Sequence, residues 1–144
     1  MNVNKEVHTT DETAENKLSD RLLTELKNIV DSYHIYQNSL AKGLDISDTA
    51  VSYLLNGTRP VTIDTICAVC IALKITPHEQ RALFSRIGFA MPDFDGKGDE
   101  REKIIREYMD FCCKDRTITV RKCNRELRSK NLDPLTGKRG KKNG

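Results

Sequence analysis

The sequence predicts an all-α protein, a five-helix domain followed by a small two-helix extension. Three observations carry that expectation. Apolar residues recur at helical spacing from Leu22 to Leu127. Capping and stop residues punctuate these runs at the right offsets. The composition, 38% hydrophobic and 31% charged with 6% aromatic residues and no Trp, suits a small helical protein.

The elements follow in order. Residues 1–17, "MNVNKEVHTTDETAENK", are polar, acidic and aperiodic, and are expected to be disordered. Ser19 is a fair N-cap for a first helix whose stripe is Leu22, Leu23, Leu26, Ile29, Val30 and Tyr33. A second helix is expected from Gln37 to Leu44. A third runs from Asp48 to Leu55, capped by Ser47 and stopped by Asn56-Gly57. Thr62 caps a fourth helix, with Asp64 in its first turn and Ile63, Ile66, Cys67, Val69, Cys70 and Leu73 on its buried side. The fifth has Thr76 and Glu79 at capping-box spacing, Pro77 at the first helical position and Gly88 after the last apolar residue.

These helices define a domain over 18–90. Residues 91–98, rich in Gly, Pro and Asp, read as a linker. A helical C-terminal extension follows over 99–131, with one stripe of Ile104, Ile105, Tyr108, Phe111 and Cys112 and a shorter one of Val120, Cys123 and Leu127 behind a Thr119 cap. Two such helices have little core of their own and are expected to pack on the first domain or on a second subunit. Residues 132–144 read as a flexible basic tail.

Length and charge bound the function. At 144 residues the chain suits one compact domain with extensions. No apolar run approaches the ~20 residues needed to span a bilayer, and the N-terminus lacks the apolar core of a secretory signal. Five Cys without a regular framework favour a reducing cytoplasm. Residues 18–90 hold seven basic and seven acidic side chains, whereas residues 96–144 hold 15 basic and 8 acidic, a net +7. The middle of the chain is neutral and its C-terminal third is a candidate polyanion surface.

The segment "SLAKGLDISDTAVSYLLNGTRP", Ser39 to Pro60, has the spacing of a helix-turn-helix. Ala41 is small where the two helices approach. Asp45 stands in the turn, and Asp is among the few non-Gly residues that tolerate a left-handed conformation. Val51 and Leu54 would face the core opposite Leu40 and Leu44, leaving Asp48, Thr49, Ser52 and Tyr53 on an exposed face able to hydrogen-bond.

Here the chain resembles the Cro and phage-repressor (lambda-repressor-like, XRE-type) helix-turn-helix family over residues 19–90. The family pattern Gln-x-x-Leu-Ala-x-x-x-Gly-(Val/Ile)-Ser-x-x-x-(Ile/Val)-Ser is met by Gln37, Leu40, Ala41, Ile46, Ser47, Val51 and Ser52, with Asp45 where the pattern has Gly. Tyr36 occupies the cap position of the second helix and cannot cap it.

The resemblance implies a sequence-specific regulator of transcription that binds double-stranded DNA as a homodimer on an inverted repeat and catalyses nothing. The third helix would lie in the major groove. Asp48, Thr49 and Tyr53 would read bases, and Ser47 and Ser52 would touch base or backbone. Gln37 would bind phosphate, and Asn56, Thr58 and Arg59 would hold the flanking backbone. It implies no cofactor, no metal and no membrane, in a bacterial or phage-encoded cytoplasmic protein. The extension resembles one that follows some repressors of this type, and a protein partner could use it.

Two other function classes compete. One is a protein-interaction adaptor, antitoxin-like or an anti-repressor component, using this fold with weak DNA binding. The neutral domain and the acidic Asp48 favour it; Ser47, Asn56 and Arg59 oppose it. The other is a Cys-based metal or redox sensor. Cys67 and Cys70 are one turn apart, but they need two further ligands and already fit core positions. No Gly-rich phosphate loop, carboxylate pair or nucleophile motif points to an enzyme.

Overall fold

The computed structural model describes residues 10–137, with side chains from Lys17 onward. Among the described residues there are seven helices and no strand: α1 (Thr10–Tyr33), α2 (Gln37–Leu44), α3 (Asp48–Leu55), α4 (Ile63–Ala72), α5 (Pro77–Ile87), α6 (Glu100–Phe111) and α7 (Val120–Ser129). α2 packs on α3 and α4, α1 on α3, α4 and α5, and the extension closes over this bundle through α6 on α4 and α7 on α2 and α4.

Local chemistry accounts for most helix starts. The hydroxyls of Ser47, Thr62, Thr76 and Thr119 each accept from the backbone N–H three residues on, at 3.0–3.2 Å. Each such cap is worth about 1 kcal/mol against Ala. Asp99 does the same for α6, accepting from Glu102 N at 2.9 Å. Tyr36 makes no cap bond at the start of α2 and is exposed.

The helix ends share a less visible device. His34, Asp45, Lys74, Gly88 and Asn131 are all left-handed, with φ from 54 to 82°. In each case the next residue's N–H returns to the carbonyl five residues before it: Ile35 to Val30, Ile46 to Ala41, Ile75 to Cys70, Phe89 to Phe84 and Leu132 to Leu127. This satisfies carbonyls that a helix end otherwise leaves open. Only one of the five is Gly, the residue that enters this conformation without cost.

Gly43 serves a different need inside α2. A Cβ there would stand 3.3 Å from Ala72 Cβ, so its absence lets α2 approach the end of α4.

Two sequence expectations need correction. α1 begins at Thr10, so residues 10–17 are helical rather than disordered, and Ser19 lies inside the helix rather than capping it. The added turns carry no apolar stripe, which is why periodicity does not register them. Residues 1–9 lie outside the described residues.

The expected flexible tail is the second correction. Residues 132–137 form a strap packed against the domain, with Leu135 4% and Thr136 9% exposed. Leu135 N donates to Asn124 Oδ1 at 2.8 Å, and Thr136 Oγ1 donates to Leu44 O at 2.6 Å. The remainder, 138–144, lies outside the described residues.

The extension packs on the first domain, one of the two partners expected for it. Ile104, Ile105, Met109, Val120, Cys123 and Leu127 belong to the same continuous apolar cluster as Leu22, Leu44, Val51 and Ile66. Gln80, fully buried, donates from Nε2 to Ile75 O at 2.8 Å and to Met109 O at 2.9 Å, joining α5 to α6. Residues 91–98 form a tied turn. Asp93 Oδ1 accepts from Gly98 N at 2.7 Å and Lys103 Nζ at 3.1 Å, while Asp93 N donates to Glu102 Oε1.

Candidate nucleic-acid interface

The helix-turn-helix rests on an apolar contact and an exposed polar edge. Leu40, Ala41 and Leu44 of α2 and Val51 and Leu54 of α3 are buried in the common core. The turn between them is set by Asp45 at φ 62°, ψ 39°. Its N–H donates to Lys42 O at 3.1 Å, and the following N–H of Ile46 donates to Ala41 O at 3.0 Å. The backbone then extends through Ser47, whose hydroxyl caps α3.

Of the sequence-predicted site residues, Gln37, Ser47, Asp48, Thr49, Tyr53, Asn56, Thr58 and Arg59 are exposed and Ser52 is half-buried. The structure brings them to one continuous edge. Gln37 Nε2 donates to Asp48 O at 3.3 Å, which puts the start of α2 beside the start of α3. Asn56 Oδ1 accepts from Thr58 N at 2.8 Å, and Arg59 N donates to Tyr53 O at 3.0 Å, folding the loop back on α3. Gly57 makes that return possible at φ 84°. The Asp48 and Thr49 side chains project from the first turn of α3, where a groove-bound helix meets base edges.

Sequence reasoning missed the side chains that hold this edge from behind. Asn124, fully buried on α7, donates from Nδ2 to Asp45 Oδ2 at 3.1 Å and to Thr136 Oγ1 at 3.0 Å. Asp45 thus meets the backbone requirement of the turn and receives the extension. A signal was present: Val120, Cys123, Asn124 and Leu127 form one helical stripe, and an amide within an apolar stripe implies a buried partner.

Lys74, the left-handed residue ending α4, reaches the carbonyls of Asp115, Arg116 and Ile118 with its ammonium. Arg101 pairs with Asp64 at 2.8 Å and donates to Asp133 O and Pro134 O.

The cysteines lie away from this edge. Cys67, Cys70, Cys112 and Cys123 are buried and unpaired, and Cys113 is half-buried. Burial is the largest cause raising the first four thiols; Cys70 and Cys123 are each pushed up to about 12 and Cys67 well above its ordinary value. Such thiols stay protonated at neutral pH and are poor nucleophiles. Among the described residues no group of three His, Cys, Asp or Glu is placed to hold a metal ion, and no helix is long and apolar enough to cross a membrane.

Two helices, a left-handed turn and an exposed polar first turn on the second helix define the class, a helix-turn-helix protein. Residues 25–79 match the family model of the Cro/C1-type HTH DNA-binding domain. The match runs from within α1 to the first turn of α5, and the chain therefore carries a DNA-binding domain of the kind found in regulators. No curated protein and no solved structure matches the chain.

Proposed function

We propose that the chain is a sequence-specific, double-stranded DNA-binding transcriptional regulator that acts in the cytoplasm and catalyses no reaction. α3 lies in the major groove, and a homodimer reads an inverted repeat with half-sites about one helical turn apart. Asp48, Thr49 and Tyr53 read base edges, with Ser47 and Ser52 at base or backbone. Gln37, Asn56, Thr58 and Arg59 hold phosphates on either side. In this reading residues 18–90 recognise DNA, 91–98 connect, and the extension from 99 supports that unit and offers a face to a protein partner. The observation that carries the proposal is the capped N-terminus of α3, presenting polar, exposed side chains within the segment that matches the Cro/C1-type domain.

One observation favours the adaptor reading. Asp48 is an exposed acid at the leading end of α3. It can accept from cytosine N4 but offers guanine no donor and sits where phosphates repel it.

Selection of duplexes from a random pool at physiological salt separates the two. Enrichment of an inverted repeat supports the regulator, and recovery without enrichment supports the adaptor. On the selected site, Thr49→Ala with Tyr53→Ala should flatten base preference and leave the fold intact. Arg59→Ala should weaken all sequences alike and lower the salt slope by about one unit.

A further inference from the structure

We propose that the exposed basic face of α7 is a second phosphate-binding edge, which meets the DNA backbone flanking the half-site read by α3. It rests on the DNA-binding reading above and assigns the extension a part in that same contact.

The first argument is how α7 divides its side chains. Val120, Cys123, Asn124 and Leu127 are buried, whereas Arg121, Lys122, Arg125 and Arg128 are exposed. The one acid of the helix, Glu126, is engaged by the Tyr108 hydroxyl at 2.7 Å. Elsewhere in the extension Arg101, Lys103 and Arg106 are spent on structure, pairing with Asp64, Asp93 and Asp110. Lys122 lies beside Asp115 and helps hold that carboxyl down. The cations this face leaves without an ion pair among the described residues are therefore Arg121 and Arg125, one turn apart, whose mutual repulsion a polyanion relieves.

The second argument is position. Asn124 holds α7 to Asp45, two residues before the cap of α3. A Cβ built on Gly137 would stand 3.1 Å from Arg128 Nη2 and 3.9 Å from Asp45 O, so that guanidinium lies beside the turn. On the other side of the turn, Lys42 of α2 and Arg121 of α7 line one surface groove with Ser39, Asp45 and Thr119. The basic face is therefore continuous with the helix-turn-helix rather than on a remote surface.

The third argument is need. Residues 18–90 balance seven basic against seven acidic side chains, so that domain alone has little net attraction for a polyanion. Each phosphate neutralised adds about 0.9 to the salt slope of binding to duplex DNA. A neutral reading domain with a cationic edge fixed beside it supplies the attraction from the edge and the base preference from α3.

The test uses the full chain and the duplex recovered by selection, in two lengths: one with about ten flanking base pairs on each side, one trimmed to the half-sites. Affinity is measured against salt for wild type, for Arg121→Gln/Arg125→Gln and for Arg121→Lys/Arg125→Lys. On the long duplex the Gln variant should lose about two units of slope per bound protomer. It should keep the wild-type ratio between selected and scrambled sites. The Lys variant should retain the slope, which separates charge from folding, and on the trimmed duplex wild type and Gln variant should converge. An unchanged slope for the Gln variant on the long duplex overturns the edge, as does an equal loss on both lengths. A wild-type chain that binds no duplex overturns instead the DNA reading on which the edge rests.

Discussion

α2 and α3 meet through apolar residues close in sequence, Leu40, Ala41 and Leu44 against Val51 and Leu54. α7 and the strap after it reach the same turn through single polar groups: Asn124 of α7 bonds Asp45 from 79 positions away, and Thr136 of the strap bonds Leu44 O from 92. The first contact is broad, apolar and tolerant of small shifts. The second is narrow and directional, because a buried amide that loses a partner costs about 1–3 kcal/mol rather than the ~1 kcal/mol a made bond contributes. The extension is thus a brace on the recognition turn. The two non-Gly left-handed residues that end α2 and α4, Asp45 and Lys74, are the ones whose side chains receive it.

The largest expected effect comes from breaking the brace outright. Deleting residues 132–144 removes the buried Leu135 and leaves Asn124 Oδ1 and Leu44 O without partners. Urea unfolding should show a loss of about 3–5 kcal/mol. Deleting only 138–144 should leave the midpoint within about 0.5 kcal/mol, the range of ordinary surface changes. Equal losses from the two deletions would refute the strap's role.

Next in size is Asn124→Ala, which keeps α7 and removes its grip on the turn. A loss of about 2–3 kcal/mol is expected, because the Asp45 carboxylate, Thr136 and Leu135 N–H all lose a partner. Asp45→Gly sharpens the comparison. Gly relieves a left-handed strain of about 1–2 kcal/mol and forfeits a bond worth about as much to a charged group. Stability should move by less than about 1 kcal/mol, measured in the same unfolding series.

The smallest effect is pH dependence in the connecting turns. Asp93 is held below its ordinary 3.8, first by the Gly98 N–H and then by Lys103; Asp115 is held below 3.8 by the Thr117 hydroxyl and N–H. Their contribution is complete above about pH 3.8 and is lost as pH falls through the lowered folded values. Acidification across that window should loosen 91–98 and 115–118. Asp93→Asn should abolish the first of these responses, read by amide exchange at Gly98.

Much of the first domain was legible because its signals are local. Ser47, Thr62 and Thr76 bond to the N–H three residues on, so the residue type and offset suffice to place α3, α4 and α5. The exposure of Gln37, Ser47, Asp48, Thr49, Tyr53, Asn56, Thr58 and Arg59 was legible for the same reason, since it follows from the register of two short helices. The start of α1 was hidden because a polar helix has no apolar stripe. The ends at His34, Lys74 and Asn131 were hidden because His and Asn favour the left-handed region far less than the glycine at Gly88 does, and Lys carries no such preference.

The sequence by itself determined the helices that carry a period and a cap, the exposed polar edge of α3, and the excess of cations in the C-terminal third. Only the tertiary structure decided that the extension and its strap share the domain's core, that Asp45 in the turn receives Asn124, and that the cations of α7 come to lie beside that turn. The reason is range: a cap or an apolar stripe is completed within a few residues of itself. A buried amide, a left-handed Asp and a basic helix face acquire their meaning from groups tens of residues away, which only the folded chain brings together.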